Sequence, residues 1–416
     1  MEQRKLYRTI DNITKAAPKF STTEKLLIYV LNEIIKNEVI NILGGRIWKL
    51  NESKNAYNMI EQFGQVDNIE SNYELKVNNF STFKEIGTNR AIIGRETDTY
   101  LKSKGILNYS ATGVGDRYKI KTDNGGAYYL YRYLIALNGP KMDNEFLYTL
   151  NIISTTLSSI LRTRRIETKA RKNLVELEKA SEIQKSILPE HSYIFQNYEI
   201  FGISVPEEIV GGDFFDYLKA DDESNLCVAI GDAASKGVSA AAQALYVSGA
   251  LKMGVGYDIN MTSLIKKISN LVNDTFPYER FVTLFFCELF DDNKGLCVYV
   301  NAGHNSPYYY DSINSKVKEL PATGPVLGPS PNQKYNTDSI YISKDDLLVL
   351  YTDGIVEAAN RKFEFFGDAR LKEAIMKYKD KSTKEICELI IQDVQRFSAK
   401  GKYSDDKTLV VIKRVK

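Results

Sequence analysis

Four aspartates stand where an apolar run meets a glycine or a turn. They are Asp213 in Val210-Gly-Gly-Asp213-Phe-Phe-Asp216, Asp232 in Ile230-Gly-Asp232-Ala-Ala-Ser-Lys-Gly237, Asp353 in Tyr351-Thr-Asp353-Gly354, and Asp405 in Ser404-Asp405-Asp406-Lys-Thr408. An aspartate that ends a buried strand projects its carboxylate where strand ends gather, and neighbouring glycines permit tight turns and close ligand approach. Several carboxylates converging without lysine or arginine partners would repel one another and resist ionising. Divalent cations remove that conflict, and all-oxygen ligation selects Mg²⁺ or Mn²⁺. Two such ions about 3.5–4 Å apart can share a carboxylate and clamp the attacking and leaving oxygens of a phosphoryl group. Chemistry of this kind needs no cysteine or histidine nucleophile.

The composition agrees with that economy. The chain has two histidines and four cysteines, Cys227, Cys287, Cys297 and Cys387, none in a C-x-x-C pair. The first three lie in apolar runs and read as buried reduced thiols, so a zinc site is excluded in favour of oxygen ligands. A net charge of +2 over 416 residues gives no electrostatic case for nucleic acid as a partner. No stretch approaches the ~20 apolar residues that span a bilayer. Residues 1–20 carry no charged-then-apolar signal pattern and read as a polar leader, and the chain as a cytoplasmic protein.

Positioning those aspartates requires a sheet-rich C-terminal half. EIFGIS, FFDYLK and NLCVAI read as strands, followed by a two-segment helical block from Gly237 to Asp274. FVTLFFCELF and KGLCVYVNAG flank a hairpin turn at residues 291–295, SPYYYDS pairs with SKVKEL, and LLVLYTDGIVEAAN leads through two helices to a last strand, TLVVIKRV. Antiparallel strands with helices inserted in pairs predict a β-sandwich flanked by helices, an α+β fold rather than a parallel α/β one. Upstream, residues 23–40 carry helical spacing behind the capping candidates Ser21, Thr22 and Thr23. RIWKLN, AYNMIEQFG and YYLYRYLIALNG (128–139) read as strands, and FLYTLNIISTTLSSILRTRR returns to helix. In this last helix Leu150, Ile153, Leu157 and Ile160 step as a coiled-coil seam. A basic stretch, residues 162–172, interrupts it before Leu174, Leu177, Ile183 and Ile187 resume an apolar stripe up to Pro189. The seam predicts a signalling helix through which a homodimer forms; a locally packed linker helix is the alternative.

Singly, each acidic motif is weak, since T-D-G is usually a turn and D-D-K-T a polar strand lead-in. Together and in this order, with SEIQKSILP (181–189) as lead-in and NAGHNSP (301–307) in the middle, they resemble the SpoIIE/RsbU branch of the PPM-type protein phosphatases over residues 180–416. The resemblance implies a metal-dependent phosphoserine/phosphothreonine phosphatase of αββα architecture, with its domain over 191–416. It implies that Asp232 bridges two Mn²⁺ or Mg²⁺ ions, with the backbone carbonyl of Ala233 as an added ligand. Asp353 and Asp405 hold the second ion, and Asp213 binds directly or through water. Hydroxide between the ions attacks phosphorus in line, without a phosphoenzyme. The implied substrate is a phosphorylated STAS-type anti-sigma-factor antagonist. Residues 21–165 resemble a GAF domain in outline only, which implies a sensor for a small-molecule or protein signal, joined by a helical linker at 166–190.

Other nearby residues stay open at this stage. Asp216 is a supporting group behind the ligands or simply an acidic strand residue. Lys236 meets a substrate phosphate or is solvated. His304 is a general acid or, more often for such a histidine, the organiser of a turn. Asp405 is preferred to Asp406 only by the pattern of the resembling family. That family commonly reads G-D-x-S-G-K/H-G, whereas this chain has GDAASKG, with Ala234 for serine and Ser235 for glycine; a serine forced to positive φ would cost free energy there. Two other functions compete: a diguanylate-cyclase-type enzyme, since GGDFF superficially resembles its loop, and a non-catalytic phosphatase-shaped scaffold.

Overall fold

The computed structural model of the protein describes residues 2–36, 42–64, 68–95, 97–121, 125–140, 142–219, 225–257, 259–277, 279–290, 292–399, 401 and 403–416. By contacts it divides into two units, Met1–Lys172 and Asn173–Lys416.

The first unit runs α1 Glu2–Ala16, α2 Thr23–Ile35, β1 Gly44–Asn51, β2 Ala56–Gly64, β3 Glu74–Lys76, α3 Thr82–Asn89, β4 Ala91–Gly94, α4 Thr99–Ser103, β5 Tyr109–Lys121 and β6 Ala127–Asn138, and then enters α5 Asn144–Ile187. Its strands form one sheet in the order β3-β2-β1-β6-β5-β4, with every pairing antiparallel. Period-2 alternation sends Ile47, Tyr133 and Ile135 to one face, where Leu27 and Val30 of α2 cover them. Trp48 and Leu134 go to the other face, against Phe83 and Ile86 of α3 and Leu101 of α4. Of the three capping candidates, Thr22 is the N-cap of α2, accepting from the Lys25 N–H. The last residues of the expected 23–40 helix, 37–40, lie outside the described ones.

Two expectations are corrected in this unit. Residues 1–20 are not a polar leader: α1 is helical, and Ile13 and Ala17 are buried in the same core as α2, because an apolar stripe runs along an otherwise polar helix. The first half of the proposed seam is also used locally. Leu150, Ile153 and Leu157 of α5 are fully buried in that core, so their helical spacing serves the unit's own sheet. Further along, Leu174, Ile183 and Ile187 remain exposed. No helix among the described residues is long and apolar enough to cross a membrane.

The second unit contains β7 Ser192–Phe195, β8 Tyr198–Val205, β9 Phe214–Lys219, β10 Asn225–Ala233, α6 Val238–Val255, α7 Met261–Thr275, β11 Val282–Phe290, β12 Leu296–Ala302, β13 Tyr308–Asp311, β14 Lys316–Glu319, β15 Asp338–Tyr341, β16 Leu347–Tyr351, α8 Asp353–Val356, α9 Gly367–Tyr378, α10 Thr383–Ser398 and β17 Lys407–Arg414. Two antiparallel sheets result, β15-β12-β11-β10-β9 and β14-β13-β16-β17-β8-β7. Alternation again assigns the layers. Val228, Ile230, Phe285, Leu348, Leu350, Val410 and Ile412 meet between the sheets. Ala229, Phe286 and Val300 pack outward on α6 and α7, while Val349, Leu409 and Val411 pack outward on α9 and α10. The expected helix-flanked αββα sandwich is the observed fold. In the hairpin expected at 291–295, residue 291 lies outside the described residues; Gly295 closes the turn at positive φ.

Candidate active site

All four motif aspartates are set at or beside strand ends. Asp232 is the penultimate residue of β10, and its even-numbered register with Val228 and Ile230 turns it toward the space between the sheets. Asp213 directly precedes β9, Asp353 opens α8 one residue after β16, and Asp405 lies two residues before β17. Thr352 joins the two sheets at this end. Its hydroxyl donates to Asp213 Oδ2 at 2.7 Å and accepts from the Thr408 N–H at 3.0 Å.

The carboxylates feel one another's charge. Burial raises Asp213 well above the usual carboxylate range, and Asp232 and then Asp406 add to that. Asp232 is pushed up to about 7 by burial, with Asp353, Asp405 and Asp406 contributing repulsion. Asp353 rises to about 6 through burial, Glu357 and Asp405. Among the described residues no group of three or more His, Cys, Asp or Glu side chains is gathered tightly enough to hold a metal ion. The donor set nonetheless suits hard divalent cations: it is all oxygen, and burial with neighbouring carboxylates raises Asp213, Asp232 and Asp353. The Ala233 carbonyl already accepts from the Ser235 N–H at 2.6 Å, which leaves it one lone pair for an ion.

The neighbouring candidates separate clearly. Asp216 follows Asp213 by three residues along one extended strand, an odd spacing that sends the two carboxylates to opposite faces. It points under α6, with Oδ2 3.0 Å from both Ser248 Oγ and Lys252 Nζ. Asp406 binds backbone: it accepts from the Glu207 N–H at 2.8 Å and the Gly212 N–H at 2.6 Å, clamping the loop before Asp213. That clamp explains two motif glycines. A Cβ on Gly211 would lie 2.6 Å from Asp406 Oδ2, and one on Gly354 only 1.9 Å from the Asp406 carbonyl oxygen. Lys236 pairs with Asp405 Oδ2 at 2.8 Å and lies over the Tyr403 ring, and Asp405 holds its ammonium above the usual lysine range.

His304 is buried, its Nδ1 2.8 Å from Thr283 Oγ1, and its backbone N–H donates to Asn301 Oδ1 at 2.8 Å. Burial pushes it down to about 4, so the ring is neutral near pH 7. These contacts make it a turn organiser behind Asp232, whose carbonyl accepts weakly from Thr283 at 3.4 Å. Ser235 takes no positive φ; that conformation falls on Gly237 at 65°, so the serine is accommodated without backbone strain, and its hydroxyl accepts from Gln243 Nε2 at 2.7 Å.

Two residues escaped the sequence reading. Thr352 stood inside the quoted T-D-G motif, and Gln184 inside SEIQKSILP. Gln184, near the end of α5, is buried and grips Gly211 from both sides. Its Nε2 donates to the Gly211 carbonyl at 2.7 Å, and its Oε1 accepts from the Gly211 N–H at 3.2 Å. One turn on, the Ile187 carbonyl accepts from Lys252 Nζ at 3.0 Å.

Comparison with known proteins follows the same residues. Residues 222–415 match the family described as Stage II sporulation protein E (SpoIIE). The IcfG protein of Synechocystis sp. is 30% identical over 301 residues, which is 66% of this chain and 46% of that one. The phosphoserine phosphatase RsbU of Bacillus subtilis is 26% identical over 239 residues, 58% of this chain and 70% of that protein. The chain thus spans about half the length of IcfG, at 46%. The SiaA-PP2C domain of Pseudomonas aeruginosa superposes with a TM-score of 0.51 at 19% identity, covering 59% of this chain and 98% of that one, a likeness of fold.

Proposed function

We propose that this chain, whose residues 222–415 match the SpoIIE family, is a regulatory PP2C-type serine/threonine phosphatase that hydrolyses phosphoserine or phosphothreonine on a partner protein. The observation that carries the proposal is the placement of Asp213, Asp232, Asp353 and Asp405 at strand ends on one side of the sandwich, with Thr352 tying Asp213 to β17. The family is metal-dependent, and two Mn²⁺ or Mg²⁺ ions are the cofactors we propose. When bound, they would lower the pKa of water to supply a nucleophile and neutralise the transferred phosphoryl charge. Asp232 with the Ala233 carbonyl beside it, Asp353 and Asp405 would hold them, together with Asp213, which Thr352 orients. The phosphoprotein is proposed to be a STAS-type anti-sigma-factor antagonist in a cytoplasmic partner-switching system; RsbU and RsbP, which the chain resembles, are named phosphoserine phosphatases.

The first unit is proposed as a GAF-like sensor that gates this site through α5. Support comes from the Gln184 grip on Gly211, two residues before Asp213. Homodimerisation would use the exposed stripe Leu174, Ile183 and Ile187 rather than the buried residues of the first half of the helix. The cyclase reading loses its basis, since Gly211 and Gly212 are held by Gln184 and Asp406, a structural reason for GGDFF. Ser235, which argued only faintly for the scaffold reading, is not at positive φ and gives it no support.

The deciding experiment is release of phosphate from a phosphoserine-bearing STAS-domain protein, with Mn²⁺ or with EDTA, by wild type and Asp353→Asn. Metal-dependent release by wild type alone is the expected result. Calorimetry showing no Mn²⁺ uptake by wild type would favour the scaffold.

A further inference from the structure

On the side of the first sheet that α2 and α5 cover, a cleft of about 410 Å³ is lined by four cations, Lys49, Arg132, Arg162 and Arg165, and by two carboxylates, Glu24 and Asp116. One wall is fixed by β5, which bulges between Val114 and Arg117 with Gly115 at a φ of 85°. The Gly115 N–H donates to Ser158 Oγ of α5 at 3.1 Å, and Arg90 Nη1 donates to the same oxygen at 3.1 Å. Both carboxylates are already engaged. Glu24 accepts from Lys49 Nζ and from Tyr133 Oη, each at 2.8 Å, and Asp116 accepts from Arg165 Nη1 at 2.7 Å. Two guanidiniums are left over. Arg132 donates to the Tyr118 hydroxyl at 3.2 Å, and among the described residues neither it nor Arg162 is ion-paired.

That surplus of positive charge selects an anion. A cleft with an excess of one sign concentrates its field, and guanidinium forks match phosphate oxygens in pairs. The two unpaired forks come from different elements, β6 and α5. A phosphate group offers three acceptor oxygens that both can share, whereas a carboxylate offers two in one plane. The volume falls in the range of small-molecule sites. We propose that this cleft binds a small phosphate monoester, its phosphate between Arg132 and Arg162 and its uncharged body in the rest of the cleft. Arg162 and Arg165 open the basic stretch 162–172 that interrupts the apolar stripe of α5, and the interruption thereby gains a role: bound phosphate ties the helix to β6. The site stands independently of the phosphatase assignment, because binding is read with metal chelated and without turnover.

The test uses the full chain in EDTA, with adenosine monophosphate and glycerol phosphate as probes and adenosine and glycerol as controls, read by calorimetry at constant ionic strength. At least one phosphate ester is expected to bind, with its neutral parent at least about tenfold weaker. Arg132→Met and Arg162→Met are each expected to weaken that binding at least about tenfold. Both side chains are exposed, so the fold is kept, and circular dichroism verifies it. Lys169→Met removes an exposed charge of the same basic stretch that does not line the cleft, and should leave binding unchanged. No binding of either ester at millimolar concentration, equal binding of ester and parent, undiminished binding by either arginine variant, or an equal loss in Lys169→Met would each overturn the proposal.

Discussion

Lys236 Nζ lies 2.8 Å from Asp405 Oδ2, so an ammonium pairs with a carboxylate that would help hold the proposed cations. The pair is largely exposed on the lysine side, and its own worth to stability is small. Its consequence is for ion binding, where lysine and metal compete for one oxygen. Lys236→Ala is expected to tighten Mn²⁺ binding a few-fold by calorimetry, within the roughly 1 kcal/mol of an exposed pair. Weaker Mn²⁺ binding in the variant would show that the lysine assists the site instead.

The raised carboxyls give the metal-free protein a pH dependence of definite sign. Asp232 at about 7 and Asp353 at about 6 hold protons in the folded state that the unfolded chain releases near 3.8. The folded state binds more protons between those values, so stability falls as pH rises from about 4 to about 7. In EDTA, the thermal midpoint of wild type should fall across that window relative to Asp232→Asn. Mn²⁺ affinity should rise over the same window as the ligands ionise. A midpoint difference that does not change with pH contradicts the assignment.

Asp216 provides a test of strand geometry. Asp216→Asn should leave Mn²⁺ stoichiometry and affinity unchanged, because the carboxylate faces Ser248 and Lys252 under α6. It should destabilise the protein by about 1–3 kcal/mol in urea denaturation, the cost of weakening a buried charged hydrogen-bond set. Loss of a metal ion in this variant would place Asp216 at the metal centre.

Gln184→Ala leaves the buried N–H and C=O of Gly211 without their side-chain partner, at a cost of about 1–3 kcal/mol. If α5 gates the site, basal turnover of a phosphoprotein should change in this variant and also on deletion of residues 1–165. Kinetics and oligomeric state both unchanged in the two proteins would remove the gating role.

Much of the second unit was legible because its strands are long, apolar and alternating, and because its acidic motifs abut them. The same alternation, applied at Asp213 and Asp216, already places the two on opposite faces. Ser235 was harder to judge, since whether position 235 needs positive φ depends on how residues 233–237 close, and the structure moves that demand to Gly237. The first unit was read less completely. β5 went unread because Gly113 and Gly115 interrupt its pattern, yet a Cβ on Gly113 would lie 2.0 Å from the Tyr131 ring, so the glycine is a packing requirement within a strand. The helical spacing of Leu150, Ile153 and Leu157 fits a seam and a buried intramolecular face equally, and only the sheet beside them decides.

β17 enters its sheet between β16 and β8, pairing Lys407 with Val205 and Tyr351 with Leu409. During synthesis, therefore, the sheet waits with two unsatisfied inner edges until residues 405–414 have left the ribosome. Asp405 and the Asp406 clamp on the Gly212 loop arrive with the same segment. Completion of the proposed metal site and closure of the sheet become one event, so under the proposed function a chain lacking these residues would be inactive. Its open edges would make it prone to sticking to its neighbours.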